Sequence, residues 1–254
     1  MKNEWHYGLH ALQTLMKSSP ERILEIRVQK GRHDQRLQKI VQSAHQTGLT
    51  ILECSRTELD KLCGPQHQGV AAFCTPGKLP DENFLYELIA SLDTAPLLLV
   101  LDGITDPHNL GACLRTAEAA GVNAVITPKD RSAGITPVVR KVACGAADIV
   151  PLIPVTNLAR CLKKLQELGV WLTGTSDKAN TSLFEHDLTG PLALVMGAEG
   201  DGMRRLTTEA CDSLVFIPMA GEISSLNVSV ATGVCLFEAC RQRHRQGKPG
   251  IEHP

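Results

Sequence analysis

Residues 215–239, VFIPMAGEISSLNVSVATGVCLFEA, combine a short apolar run, a loop of small residues and the start of a helix. The apolar run at 215–218 ends in a proline and predicts a short buried strand. Beyond the loop, Leu226, Val230 and Val234 recur at helical spacing, and the serines ahead of them can cap the helix by accepting its free N–H groups. Ligands of α/β sheets bind where such strands end. This stretch therefore predicts a ligand-binding edge.

Two other loops have the same form. Residues 102–115 follow the apolar run LLLVL at 97–101, and residues 197–205 follow an apolar strand predicted at 192–196. Each loop contains glycine, which lets backbone N–H and C=O groups approach a flat ligand closely. If the strands are parallel, all three loops lie at one edge of the sheet. The predicted fold class is α/β, with a mostly parallel sheet covered by helices on both faces.

Several common active-site patterns are missing from these loops. The sequence has no G-x-S-x-G nucleophile elbow, no Walker loop and no His/Cys cluster with the spacing of a metal site. Gly197, Gly200 and Gly202 do not match the G-x-G-x-x-G pattern of dinucleotide-binding proteins. The sequence therefore predicts no metal and gives no sign of NAD.

Composition places the chain among intracellular proteins. Hydrophobic residues make up 43% of its 254 residues, enough for a core, and the formal net charge is −1. The nine cysteines form no C-x-x-C pair, which is typical of reduced thiols in a cytosolic protein. No apolar run approaches the ~20 residues that a membrane span needs. We expect a soluble, cytoplasmic protein without membrane contact.

The first part of the chain differs in charge from the rest. Residues 1–77 hold ten Lys and Arg against seven Asp and Glu, an excess of +3. Strands alternating with helices predict a small α/β module there. On a shared face, its basic residues could hold RNA phosphates, although taken alone they favour an ordinary solvated surface. These residues are Arg22, Arg27, Lys30, Arg32, Arg36 and Lys39.

The predicted domain limits follow from a linker. TPGKLPD at 75–81 has two prolines and a glycine, and a short helix is expected after it. We expect a first domain at 1–77, a linker with a short helix at 78–95, a second domain at 96–245, and a disordered tail at 246–254.

Three ordered motifs lie in the second part of the chain. They are Asn109 to Ala112 with Arg115, Leu194 to Gly200, and Ile217 to Met219 continued by Ser225 to Ser229. These motifs resemble those of the SpoU (TrmH-like) branch of the SPOUT RNA methyltransferases, and the match spans most of residues 96–240. The first part of the chain resembles the L30e-like substrate-binding domain of several members. The stretches LDGITDPHNLGACLR and KVACGAA are similar to members that methylate guanosine in ribosomal RNA.

The resemblance implies a fold and a co-substrate. Members tie the second domain into a deep trefoil knot, a feature that is otherwise very rare. The knot forms the pocket for S-adenosylmethionine, and no metal is required. Members are homodimers with the active site at or near the interface. By position, the cofactor-binding residues are Gly197, Ile217 and Leu226, with Thr173, Met196 and Gly200 nearby.

The resemblance also implies catalytic residues. Arg115 is cast in the family as the activator of the ribose 2′-hydroxyl, yet a guanidinium gives up its proton only with great difficulty. Holding a phosphate or stabilising the developing alkoxide are less demanding roles. Asn109 and Asn227 could orient the substrate, Glu199 could fix Arg115 or shape the cofactor loop, and Ser225 could bond to either ligand. Taken singly, Asn109 could be only a helix cap, and Glu199 only the ion-pair partner of Arg204 or Arg205.

The resemblance leaves more than one function open. The favoured prediction is 2′-O-methylation of a guanosine in 23S ribosomal RNA, in the peptidyl-transferase region. A non-catalytic ribosomal RNA-binding assembly factor on the same fold is the first alternative, and a transfer RNA 2′-O-methyltransferase is the second. The intact set of Arg115, Glu199 and Asn227 favours an enzyme.

Overall fold

The computed structural model describes most of the chain as two compact units. The first contains the described residues up to 77 together with Cys144–Ile149, and the second contains the remaining described residues. None of the described helices is long and apolar enough to cross a membrane. The predicted tail at 246–254 lies outside the described residues, which are 3–32, 34–65, 67–75, 77, 79–200, 202–222 and 225–245.

The first unit is a four-stranded sheet with helices. Its strands are β1 (Glu4–Tyr7), β2 (Ile23–Gln29), β3 (Ile51–Cys54) and β4 (Val70–Cys74), and its helices are α1 (Leu9–Ser18), α2 (Gln35–Gln46) and α3 (Arg56–Cys63). The order is β1-β4-β2-β3, with β4 antiparallel to both neighbours and β2 parallel to β3. Leu12, Leu15, Ile26 and Ile40 lie in its apolar core. The sequence patterns had not predicted β1 or α3.

Acidic neighbours partner half of the basic residues singled out in this unit. Arg27 forms a 2.8 Å ion pair with Glu25, and Arg32 forms one of 2.5 Å with Asp34. Arg22 lies near two carboxylates, and only 16% of its side chain is exposed. These three arginines therefore contribute less free positive charge than the sequence suggested.

The second unit contains a seven-stranded sheet. Its strands are β5 (Leu97–Asp102), β6 (Ala124–Pro128), β7 (Leu152–Val155), β8 (Trp171–Thr175), β9 (Thr181–Ser182), β10 (Leu192–Gly197) and β11 (Ser213–Phe216). The order is β7-β6-β5-β10-β8-β11-β9, and all six pairings are parallel. The prediction of a mostly parallel sheet is confirmed. Every residue of β5 is buried, as expected of a central parallel strand.

Helices connect these strands. They are α4 (Glu82–Ser91), α5 (Pro107–Ala119), α6 (Pro137–Ala143), α7 (Leu158–Glu167), α8 (Arg205–Ala210) and α9 (Val228–Arg245). A Cβ on Gly111 of α5 would lie 2.7 Å from Cβ of Val142, so glycine permits the close packing of α5 on α6. On another side of α5, the Cys113 thiol lies 3.6 Å from the Thr232 hydroxyl of α9.

One predicted strand is wrong. The pattern at 148–152 indicated a strand, but Ala146–Asp148 forms a 3₁₀ turn that follows Gly145 at φ +98°, and β7 begins only at Leu152. The left-handed backbone at Gly145 redirects the chain, so the apolar residues after it do not belong to one extended segment. The two-residue strand β9 was not predicted.

Candidate active site

The three glycine-containing loops meet at the carboxyl edge of the parallel sheet. Asp102 ends β5 and pairs in register with Gly197, the last residue of β10. Strand β11 lies one strand further on, beyond β8. Because all these strands are parallel, the loops that follow β5, β10 and β11 emerge on the same side.

Asn109 is not the cap of its helix. The Asp106 side chain caps α5 by accepting from the His108 N–H at 2.9 Å. Asn109 lies inside the first turn with 9% exposure, and its Oδ1 accepts from Asn227 Nδ2 at 2.9 Å. The Asn109 side chain therefore connects the first turn of α5 to Asn227, which lies 118 residues later in the chain.

Glu199 contacts the start of α9. Its Oε1 accepts from Asn227 Nδ2 at 2.5 Å and from the Val228 N–H at 3.2 Å. Arg204 and Arg205 have other partners, Asp102 and Glu209 respectively. The interpretation of Glu199 as a simple ion-pair partner of either arginine is therefore wrong, and a carboxylate at a helix N-terminus is electrostatically favourable.

Asn227 joins the three motifs in one hydrogen-bond cluster. Its Nδ2 donates to both Asn109 and Glu199. Its Oδ1 accepts from the N–H and the hydroxyl of Ser229, at 2.9 and 2.6 Å. Since an amide nitrogen carries only two hydrogens, the donors of Asn227 are fully used. We call Asn109, Glu199 and Asn227 the three-motif cluster.

Arg115 and Ser225 stand apart from the three-motif cluster. Arg115 is exposed, and it has no hydrogen bond or ion pair to any residue that the structure describes. Six residues separate it from Asn109, which places the two side chains about 120° apart around α5. Ser225 is exposed just ahead of α9, and the neighbouring Ser224 lies outside the described residues.

The predicted cofactor residues are spread over the same edge, with one exception. Gly197 ends β10, Gly200 lies in the next loop at φ +81°, and Ile217 and Leu226 are half-buried after β11 and before α9. Met196 is buried, and its sulfur lies 3.7 Å from the hydroxyl of Thr175.

Thr173 is the exception because it lies inside β8. It is 1% exposed, and its hydroxyl lies 3.3 Å from His186 Nε2 and 3.1 Å from the Ser213 hydroxyl. The Thr173 hydroxyl therefore already has hydrogen-bond partners inside the sheet. Thr175, the last residue of β8, lies nearer the carboxyl edge. The role of Thr173 in cofactor binding stays a prediction.

The buried thiols of the second unit are not ionised near neutral pH. Burial raises the pKa of the Cys113 thiol to about 11 and that of Cys211 to about 12, so both stay protonated near neutral pH. The described residues contain no group of three or more His, Cys, Asp or Glu side chains that could hold a metal ion.

Comparison with known proteins identifies the family. The model of the SpoU rRNA Methylase family matches residues 96–237, and a model described as RNA 2′-O ribose methyltransferase substrate binding matches residues 5–80. The chain belongs to the SpoU rRNA methylase family. All three residues of the three-motif cluster lie within the first of these matches.

The similarity to individual SpoU proteins covers nearly the whole chain. It is 57% identical over 242 residues to the 23S rRNA (guanosine-2′-O-)-methyltransferase RlmB of Escherichia coli strain K12, covering 95% of this chain and 99% of that protein. It is 56% identical over 243 residues to the protein of the same name from Pseudomonas syringae pv. tomato, with 96% and 97% covered.

Solved structures share the fold. A crystal structure of an RNA 2′-O ribose methyltransferase has a TM-score of 0.76 at 27% identity, covering 95% of this chain and 89% of that one. The SpoU methyltransferase AviRb of Streptomyces viridochromogenes, in complex with AdoMet, has a TM-score of 0.78 at 21% identity, with 96% and 91% covered. At 21% identity, the AviRb match shows a shared fold and nothing more.

Sequence reasoning missed one ion pair of this SpoU domain. Asp102, which is 1% exposed, accepts from the Arg204 backbone N–H at 2.9 Å and from Arg204 Nε at 2.7 Å. A signal was available: Asp102 is the charged last residue of an otherwise apolar strand. Buried carboxylates are nearly always paired, so a partner was to be expected there.

Proposed function

We propose that this chain methylates the ribose 2′-oxygen of a guanosine in 23S ribosomal RNA, in the peptidyl-transferase region, with S-adenosylmethionine as methyl donor. The observation that carries the proposal is the three-motif cluster, in which one hydrogen-bond network joins a residue from each of three loops at the ligand edge. Relatives at 56–57% identity, named as 23S rRNA guanosine 2′-O-methyltransferases, support the substrate.

The carboxyl edge has features that suit S-adenosylmethionine. A Cβ on Gly197 would lie 2.2 Å from the backbone of Gly202 and Met203, so the chain closes tightly around this strand end. Backbone groups of the loop holding Gly200, together with half-buried Ile217 and Leu226, would hold the adenosine part. When bound, S-adenosylmethionine supplies a methyl group activated by a sulfonium, which requires no metal.

The residues of the three-motif cluster have different roles in this proposal. Asn227 has no free donor, so it positions its two partners. The Oε2 of Glu199 accepts no hydrogen bond from a described residue and can accept one from the ribose hydroxyl. The amide nitrogen of Asn109 is likewise available to orient a ribose or phosphate oxygen.

Arg115 supplies positive charge to the substrate. A guanidinium keeps its proton at any pH that the protein tolerates. We therefore assign Arg115 the binding of a neighbouring phosphate and the stabilisation of charge that develops on the 2′-oxygen. Ser225, exposed beside Leu226, adds a hydroxyl for either ligand.

A homodimer would complete the site. Arg115 points away from Asn109 on its own helix, so in a dimer it can serve the three-motif cluster of the partner subunit. Val230 and Phe237 on α9 are 53% and 46% exposed and offer an apolar surface for such a contact. Light scattering should show two copies per particle, and mixing an inactive Arg115 variant with an inactive Asn227 variant should restore activity.

The remaining features of the proposal concern fold and location. A trefoil knot in the second unit is proposed from its membership of the SpoU family. An L30e-like RNA-binding role for the first unit is supported by the substrate-binding match over residues 5–80. The domain limits stay as predicted, at 1–77 and 96–245, and a cytoplasmic location suits a protein that acts on ribosomal RNA.

Methyl transfer from labelled S-adenosylmethionine tests the proposal. The substrates are 23S ribosomal RNA from cells that lack the protein and, in parallel, bulk transfer RNA. We expect label in ribosomal RNA within alkali-resistant dinucleotides, which report ribose methylation, and at least about a hundredfold loss in Arg115→Ala. Label in transfer RNA alone would refute the substrate. No label, with no binding of S-adenosylmethionine, would leave a non-catalytic RNA-binding protein.

A further inference from the structure

Asp102 and Arg204 form a contact that none of the roles above uses. The Asp102 carboxylate is buried at the end of β5, and three donors of Arg204 surround it. The backbone N–H donates to Oδ2 at 2.9 Å, and Nε donates to Oδ1 at 2.7 Å. The third donor, Nη2, also contacts Oδ1. One residue therefore satisfies both oxygens of a carboxylate that lies 102 positions earlier in the chain.

The contact closes the loop between β10 and α8. The backbones of Ala198 and Gly202 bond to each other in both directions, at 3.0 and 2.9 Å, and Glu199 directly follows Ala198. The backbone at Gly202 lies directly over Gly197, which itself pairs with Asp102. Arg204 directly precedes α8 and ends this loop. Because the loop is short, fixing Arg204 also fixes the position of Glu199.

The Asp102 carboxylate is buried while the Arg204 side chain is 49% exposed, and an ion pair of this kind serves geometry more than stability. Removing a carboxylate from water is costly, and the attraction to its partner often only offsets that cost. A well-packed apolar pair would hold α8 to β5 equally well. The fork of donors on Arg204 instead defines both the distance and the direction of the loop. A fixed distance and direction of the loop matter where its backbone groups must contact a ligand.

We infer that Asp102 and Arg204 are positioning residues, which hold the described backbone of Gly197 to Gly200 and of Gly202 to Arg204 in the arrangement that receives S-adenosylmethionine and place Glu199 against Asn227. The inference rests on the proposed function, because it names the ligand of this edge. Neither residue needs to touch a substrate. Both act through the loop.

Arg204→Gln tests the inference, with Arg205→Gln as a matched control. The two arginines are adjacent, but Arg205 has a 77% exposed side chain that, among the described residues, pairs only with Glu209 along α8. Calorimetry would measure the Kd of S-adenosylhomocysteine, and methyl transfer would give kcat and the KM for RNA. We expect the Kd to rise about tenfold or more in Arg204→Gln and to stay within about twofold in Arg205→Gln. The KM for RNA should not change.

Arg204→Lys shows whether folding alone explains the result. It keeps the charge and the backbone donor but loses the fork, so its thermal midpoint should match that of the wild type while its Kd rises. Equal Kd values for wild type, Arg204→Gln and Arg204→Lys would overturn the inference. A wild type that binds no S-adenosylhomocysteine and transfers no methyl group would refute the proposed function instead, so the two failures are distinguishable.

Discussion

At the scale of single residues, the site depends on the amide of Asn227. Its nitrogen donates to Glu199 and Asn109, and its oxygen accepts twice from Ser229. A side chain with two donors and an acceptor in this arrangement cannot be replaced by a carboxylate of the same size. Asn227→Asp removes both donors and places a second negative charge against Glu199.

We expect Asn227→Asp to reduce methyl transfer at pH 8 more strongly than Asn227→Ala, by about tenfold or more relative to the alanine variant. Because two facing carboxylates share a proton more readily at low pH, the aspartate variant should recover part of its activity between pH 8 and pH 6. Wild type and Asn227→Ala provide the comparison. Identical pH profiles for all three proteins would contradict the role given to the amide.

At the scale of elements, the strand and helix patterns predicted most of the second unit. Apolar runs at 97–101 and 192–196 became central strands because they are buried on both faces. Short elements were missed since their signals are weak. Strand β9 has only two residues. The sequence signal for α3 is the Ser55–Glu58 capping box, which the structure contains.

The candidate site was predictable as a set of residues but not as a geometry. Spacing placed Asn109 near a helix start, yet the preceding Asp106 forms the cap and frees Asn109 to contact Asn227. Nothing local in the sequence reveals contacts between loops more than 100 residues apart. The ion pair of Asp102 and Arg204 belongs to the same class, because its partners meet only once β5 and β10 have paired.

Gly197 tests the packing of the loop after β10. A Cβ there would lie 2.2 Å from two backbone atoms, so Gly197→Ala must displace the loop at a cost of about 1–3 kcal/mol in unfolding free energy. We expect its binding of S-adenosylhomocysteine to weaken at least about tenfold. Gly190→Ala, ahead of the same strand, meets nothing within 4 Å and should leave both quantities unchanged. Unaltered binding in Gly197→Ala would show that the loop tolerates movement.

Arg243 stabilises the opposite edge of the sheet. Its guanidinium donates to the backbone carbonyls of Ala95, Pro96, Leu188 and Gly190, at 2.5 to 3.2 Å. Arg243→Gln should lower the free energy of unfolding by about 2 kcal/mol, because several acceptors lose their partner, while ligand affinity is retained. Urea titration and calorimetry would measure the two effects. Lys164→Gln, which breaks an exposed pair with Glu167, should change stability by less than about 0.5 kcal/mol.

At the scale of the whole molecule, buried thiols link stability to pH. Cys113, Cys161 and Cys235 are fully buried, and burial raises their pKa values to about 11, 11 and 12. In the unfolded chain these thiols lose their protons near pH ~8.5. Above that pH the native state therefore binds more protons than the unfolded state, so the free energy of unfolding falls as pH rises.

We expect this fall to be absent below pH ~8 and to approach about 1.4 kcal/mol per pH unit for each thiol between pH ~9 and ~11. Urea titrations at a series of pH values would measure it. Cys235→Ala lowers the starting stability but removes the contribution of Cys235, so its slope with pH should be shallower. A slope equal to that of the wild type would contradict the assignment to buried thiols.

The most direct measurement of the central claim is a map of ribose methylation in 23S ribosomal RNA from cells. Cells lacking the protein would be supplied with either the wild type or Arg115→Ala, and mass spectrometry of nuclease fragments would locate each 2′-O-methylguanosine. We predict one methylated guanosine that is lost without the protein, restored by the wild type and not restored by Arg115→Ala. An unchanged methylation map in cells lacking the protein would contradict the account.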